Sequence, residues 1–349
     1  MTRPGPPRVP DCSAGLDEKS MNTELLVRPK QMCRVRLHHR TGVVRPARPG
    51  EGRGPKVSAR SVAVLGLGRM GGAAAARLAA RGMSVTAWSR TPASVRRWRH
   101  DHPDAHVTLA ETPADAARSA DHLLAFLSDG SALEHVVLGA DGVLSGAEGH
   151  DVLLADLGTS GPGSVGRVHA ALRSSGVRFV DAPVSGSIAA VRDGSLLVMA
   201  GGAAEDVESL RSVLLGVLAR EVVHVGMGGA GAAMKLCVNA VLFALNAGLA
   251  EALRVAESSG VDRDAAYDVL ARSAVAAPYL AYKREAFLER GSPVAFSLDL
   301  AAKDLRLAVD LAAAAGVGTP VWEAVARGID AAREAGLGAD DLARLSWEV

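Results

Sequence analysis

The clearest chemical signal in this 349-residue chain is a lysine inside an apolar stretch. In Met234-Lys235-Leu236-Cys237-Val238-Asn239, Lys235 and Asn239 stand four residues apart and share one face of a helix. A lysine among apolar neighbours is costly unless it is paired, put to use, or long enough to reach water with its ammonium. Put to use, an ammonium stabilises and protonates the alkoxide that forms when a carbonyl is reduced. Desolvation would lower its pKa and suit it to that task near neutral pH. Upstream, Asp181-Ala182-Pro183-Val184-Ser185-Gly186-Ser187 ends a strand candidate beside the expected carbonyl ends of a sheet, where this lysine could meet it.

A second constellation is Gly66-Leu67-Gly68-Arg69-Met70-Gly71, a G-x-G-x-x-G. By itself the pattern is weak, but it lies between the apolar run Val62–Leu65 and an alanine-rich helix former, the context a dinucleotide site requires. Gly66 permits a tight turn, Gly68 lets backbone N–H groups approach a pyrophosphate, and Gly71 allows close packing of helix on strand. The anion then rests on the positive end of the helix. About 20 residues on, where an NAD enzyme offers a carboxylate to the ribose, the chain reads Trp88-Ser89-Arg90-Thr91. Arg90, with the hydroxyls of Ser89 and Thr91, suits a 2′-phosphate, so NADP is the expected cofactor, NADPH in preference to NADH.

Elements able to position these groups follow from the pattern. Strand candidates at 62–65, 84–89, 122–127, 152–156, 177–180 and 196–200 alternate with helical stretches, among them 162–174 and 203–219. Thr91-Pro92 and Thr112-Pro113 read as helix starts. The alternation predicts an α/β fold, a doubly wound parallel Rossmann sheet. After about residue 226 strand signals cease, and helices are expected at 229–258, 262–273, 279–289, 298–315 and 320–335. The expected division is a disordered basic leader over 1–60, an NADP-binding domain over 61–226 and an all-helical substrate and oligomerisation domain over 227–349. The helix over 229–258 is apolar on nearly every face and predicts burial between layers or against another subunit.

Composition sets the bounds. Hydrophobic residues make up 48% and charged ones 22%, enough to bury a core, and at 3% aromatics Ala, Val and Leu must fill it. A net charge of +1 hides a balance of +8 over residues 1–60 and −7 over the rest, so the body has no electrostatic reason to bind nucleic acid. The leader holds half of the 16 prolines. It reads as an accessory tail for acidic partners, a targeting peptide, or sequence upstream of a true start near Val57. Cys12, Cys33 and Cys237 form neither a disulfide framework nor a metal-ligand cluster, so no metal is expected. A soluble, cytoplasmic protein without a membrane span is the expectation.

The chain also resembles the β-hydroxyacid dehydrogenase family. The segments GLGRMGGAAAARLAARG, FLSD, DLGTS, DAPVSGS, GAGAAMKLCVN and FSLDLAAKDLRLA follow that family's order and spacing across residues 61–349. S-G-S with M-K-L-x-x-N is similar to its glyoxylate and succinic semialdehyde reductase branch. The 3-hydroxyisobutyrate dehydrogenase branch more usually has S-G-G and a double Asn. The resemblance implies that Lys235 gives the proton to a carbonyl oxygen. It implies that Ser185 and Gly186 hold a substrate carboxylate with help from Asn239, and that Thr159 lies between nicotinamide and substrate. It also matches Phe296 and Asp304 to the late motif of the reductase branch, and brings Lys303 toward the cofactor. Gly158 departs from the Ser common before the matched Thr, and Ala189-Ala190-Val191 from a more polar stretch, which points to a more apolar pocket.

The expected partner is a small carboxylate-bearing aldehyde, keto acid or hydroxy acid, handled by a homodimer or higher homo-oligomer. Two other readings compete. The Trp-Ser-Arg-Thr stretch also resembles imine reductases, which usually lack a lysine at the position of Lys235. A catalytically silent NADP-binding interaction protein with a basic tail is the other.

Overall fold

The apolar run at Ser61–Leu65 becomes the strand around which the rest is wound. The computed structural model describes residues 61–347; the expected leader, Cys12 and Cys33 lie outside them. In chain order come β1 (Ser61–Leu65), α1 (Arg69–Ala80), β2 (Ser84–Trp88), α2 (Pro92–Asp101), β3 (Val107–Leu109), α3 (Pro113–Arg118) and β4 (His122–Ala125). They are followed by α4 (Gly130–Leu138), α5 (Val143–Gly146), β5 (Leu153–Asp156), α6 (Pro162–Leu172), β6 (Arg178–Asp181), β7 (Val184–Ser185) and α7 (Ile188–Asp193). Then come β8 (Leu196–Gly201), α8 (Ala204–Leu214), β9 (Ala219–Gly226) and the helices α9 (Ala230–Ser258), α10 (Arg263–Arg272), α11 (Pro278–Leu288), α12 (Leu298–Ala314) and α13 (Pro320–Ala332).

The sheet runs β3-β2-β1-β4-β5-β6-β8-β7, with β9 also on β8. Strands β1 to β6 are parallel, in Rossmann fashion. The far edge departs from the purely parallel sheet expected: β8 is antiparallel to β6 and β7 and parallel to β9. Strands β3, β7 and β9 escape the pattern reading because none is a continuous apolar run. Strand β9 reads Ala-Arg-Glu-Val-Val-His-Val-Gly with four residues exposed, as an edge strand does.

Alternation along the central strands feeds two cores. Val62 and Val64 pack under α1 with one set of side chains, Ala63 and Leu65 with the other. A third core lies among the helices, around Phe243, Leu253, Tyr267, Phe287 and Leu305. Helix α9 packs against β8 and β9 at one end of this arrangement and against α12, α10 and α13 at the other. It is long and apolar enough to cross a membrane by length and composition, yet here it joins the sheet to the helical core. Part of its apolar surface, including Met234, Val241 and Val255, is exposed in the single chain.

Candidate active site

The glycine turn follows β1 at the point where the strand order reverses, since β1 lies between β2 and β4. Gly66 has φ of +104°, and a Cβ there would stand 2.5 Å from the Phe126 carbonyl oxygen. A Cβ at Gly71 would stand 2.0 Å from the Gly66 carbonyl oxygen, so helix and turn meet backbone on backbone. At Gly68, by contrast, a Cβ would meet nothing within 4 Å. Helix α1 therefore opens on free space, with no capping side chain and no acidic residue in its first turn. Unbonded N–H groups and a positive helix end facing open space fit the pyrophosphate of a dinucleotide. Leu67 is buried in the core and Met70 packs against it, which leaves their backbones for a ligand. Arg69 instead spans to the helical part, its Nη1 donating to the Val294 carbonyl at 2.6 Å.

Past β2, Trp88, Ser89 and Arg90 line a cleft of about 640 Å³ together with Arg96 on α2. Thr91 does not line it, and its hydroxyl shares a 2.6 Å hydrogen bond with Ser94. The sequence marks no special position at Arg96, which lies within a run of basic residues on α2.

Lys235 stands in the second turn of α9. Burial pushes its ammonium down to about 8, opposed by the Asp304 charge and reinforced by Lys303. No side chain or carbonyl among the described residues takes up that ammonium in a hydrogen bond or ion pair. Asn239, one turn on and buried, donates from Nδ2 to Asp304 Oδ2 at 2.7 Å. Asp304 is itself buried on α12; its Oδ1 lies 2.8 Å from Lys303 Nζ, an ion-pair contact too far out of line to be a hydrogen bond. Lys303 donates instead to the Thr159 carbonyl at 2.9 Å and so ties α12 to the loop after β5. That loop leaves the Thr159 hydroxyl unbonded among the described residues. Ser185, half-buried at the end of β7, is equally free, whereas Ser187 is spent on capping α7 through the Ala190 N–H. Gly186 takes φ of +143°, a conformation that favours glycine. Phe296 packs on Phe243 with ring centroids 5.7 Å apart.

Three buried carboxylates outside the expected set hold these pieces in place. Asp156 and Asp181 end neighbouring strands in register, and burial pushes each up to about 6. Asp156 accepts from Gly158 N at 3.0 Å and shapes the turn that leads to Thr159. Glycine at 158 is explained by the same turn, for a Cβ would lie 2.7 Å from the Leu127 carbonyl oxygen. Asp341 accepts from Ala295 N and Phe296 N and forms a buried pair with Lys283 at 2.5 Å. Asp181 and Asp341 serve groups about 50 residues away along the chain, which sequence spacing does not reveal. The apolar 189–191 stretch gives Val191 to the core beneath α1, so part of its character serves packing.

The fold and site define a dinucleotide-binding oxidoreductase with a helical second half. Residues 61–226 match the NAD binding domain of 6-phosphogluconate dehydrogenase, and residues 229–346 the NAD-binding region of NADP-dependent 3-hydroxyisobutyrate dehydrogenase. The chain is 31% identical to 3-sulfolactaldehyde reductase of Escherichia coli (strain K12), over 83% of this chain and 95% of that protein. It is 33% identical to glyoxylate/succinic semialdehyde reductase 1 of Arabidopsis thaliana, over 79% and 94% respectively. The Mycobacterium tuberculosis 3-hydroxyisobutyrate dehydrogenase structure with L-serine superposes with a TM-score of 0.69 at 26% identity, covering 82% of this chain and 98% of that one. The chain belongs to the β-hydroxyacid dehydrogenase family and is an NAD(P)-dependent oxidoreductase acting between CH–OH and C=O groups.

Proposed function

We propose that this enzyme is an NADPH-preferring reductase of a short carboxylate-bearing aldehyde or keto acid, with Lys235 as proton donor. The observation that carries the reading is the Lys235 ammonium, desolvated and unbonded beside the Asn239–Asp304 pair. A reduced nicotinamide dinucleotide held at the glycine turn supplies the hydride. As the carbonyl oxygen gains charge, Lys235 stabilises it and gives up a proton. A donor with a pKa near 8 is still protonated at pH 7 yet releases its proton more readily than an ordinary lysine. Asn239 keeps the Asp304 carboxylate occupied on one oxygen and Lys303 crowds the other, which supports a Lys235 left free for substrate. The unbonded Ser185 hydroxyl and the backbone at Gly186 suit the substrate carboxylate, with the Thr159 hydroxyl and Phe296 completing the pocket.

For the cofactor, the turn after β2 offers Arg90 and Ser89 on the cleft wall, and Arg96 adds a second guanidinium suited to a 2′-phosphate. The exposed apolar residues of α9 favour a homo-oligomer. A free Cys237 accords with a reducing cytoplasm. Lys235 speaks against the imine reductase reading, and the assembled Lys235, Asn239 and Asp304 against a silent binding protein.

The test is Lys235→Ala assayed for NADPH oxidation with glyoxylate and with succinic semialdehyde. Turnover should fall at least about 100-fold, the scale of a lost general acid. Turnover equal to that of the parent removes Lys235 from the chemistry.

A further inference from the structure

We propose that Asp181 is a positioning residue: its carboxylate fixes the first turn of α9 to the end of β6 and thereby sets where the Lys235 ammonium stands. The inference rests on Lys235 being the proton donor.

Helix α9 opens without the usual aids. Its N-cap is Gly229, in the left-handed region at φ of +95°, with no side chain to cap and no acid in the first turn. The missing acceptor comes from far away in sequence. Asp181, fully buried, accepts from Gly229 N on Oδ1 and from Ala232 N on Oδ2, both at 2.7 Å. One carboxylate thus bridges the N-cap and the third residue of the helix, and its charge faces the positive helix end. Lys235 follows Ala232 by three positions, within the next turn.

The joint is built to tight tolerance. A Cβ at Gly231 would stand 2.3 Å from the Asp181 carbonyl oxygen and 2.5 Å from that of Met199. A Cβ at Gly201 would lie 2.8 Å from Asp181 Oδ1 and 2.7 Å from Gly231 N. Two strands and the helix therefore meet through glycine backbone around one carboxylate. The same strand end runs through Ala182 and Pro183 into Ser185, so one residue aligns the substrate-side loop with the lysine helix. The charged groups near Lys235 are Asp304 and Lys303 on α12, while Asp181 faces Asp156 across the strands. Asp181 acts on the lysine through the helix.

The experiment is Asp181→Asn, which keeps the shape but turns an amide N–H₂ toward a backbone N–H donor. Expected are a loss of kcat of tenfold or more and NADPH affinity, read by fluorescence titration, within about threefold of the parent. The upper limb of the pH–rate profile should lie below the ordinary lysine range in the parent and move up toward it in the variant as water reaches α9. Hydrogen exchange at the amides of 229–235 should quicken. An unchanged kcat with an unmoved limb overturns the proposal. If Asp181→Asn does not fold, the same readouts on Asp181→Ser, which leaves one oxygen for the two N–H donors of Gly229 and Ala232, decide with the same signs. Lys235→Ala run alongside separates the premises. Full activity there refutes the lysine reading itself, and its loss beside a fully active Asp181→Asn refutes the positioning role alone.

Discussion

Replacing Lys235 by methionine should make this enzyme inactive and more stable at once. The folded protein holds Lys235 at about 8 against an ordinary 10.5. Holding a charge in that site therefore costs up to about 3 kcal/mol at pH 7, at 1.36 kcal/mol per pKa unit. Methionine fills a similar volume without the charge. The gain in thermal midpoint should be no more than about 6 °C for a domain of this size. The sign can be tracked with pH. Because the folded pKa lies below the unfolded one, the unfolded chain holds the proton more strongly between pH 8 and 10.5, and stability of the parent rises across that window. The penalty is full below pH 8 and gone above about 10.5, so the advantage of Lys235→Met must shrink over the same range. Urea unfolding of both proteins at pH 7 and pH 10 measures it. A variant less stable than the parent at pH 7, or an advantage equal at both pH values, would show that Lys235 is not a desolvated cation.

Three further outcomes follow from other parts of the structure. Arg90→Ala should weaken NADPH binding much more than NADH binding in a fluorescence titration, and equal losses would remove Arg90 from a 2′-phosphate site. Gly68→Ala should leave the thermal midpoint unchanged while weakening dinucleotide binding, because its methyl enters the open space before α1; Gly71→Ala, pressing on backbone, should cost about 1–3 kcal/mol of stability. Asp341→Ala strands a buried ammonium and the N–H groups of Ala295, Phe296 and Ala343, and should cost about 3–5 kcal/mol in urea unfolding. Burial opposes its ionisation, but Lys283 and these N–H groups outweigh that and hold the carboxyl below its ordinary value. Its stabilisation is therefore present above the ordinary carboxyl range and lost on acidification, and an acid limb undiminished in Asp341→Ala would contradict that role.

The amino-acid sequence alone determined the features that depend on neighbours in the chain. The Gly66–Gly71 turn was legible because φ, close approach and helix start are set within six residues; a Cβ at Gly66 or Gly71 would press on backbone, and one at Gly68 would enter open space. Five of the six parallel strands, β1, β2, β4, β5 and β6, and also β8, were legible because a strand covered on both faces is a short continuous apolar run. Lys235 stood out because a cation in an apolar helix violates the local rule. What only the tertiary structure decided are the partners of buried polar groups. Asn239 meets Asp304 across 65 residues, Asp181 meets the start of α9 across 48 and 51, and Arg69 meets Val294 across 225. No pattern along the chain encodes these meetings, because a carboxylate that caps a distant helix looks, in sequence, like any other strand-end acid. The edge strands were equally silent, since residues facing water on one side and paired on the other carry no continuous apolar signal. Local propensity shaped the pieces here, and the need to satisfy every buried donor and acceptor settled how they lock together.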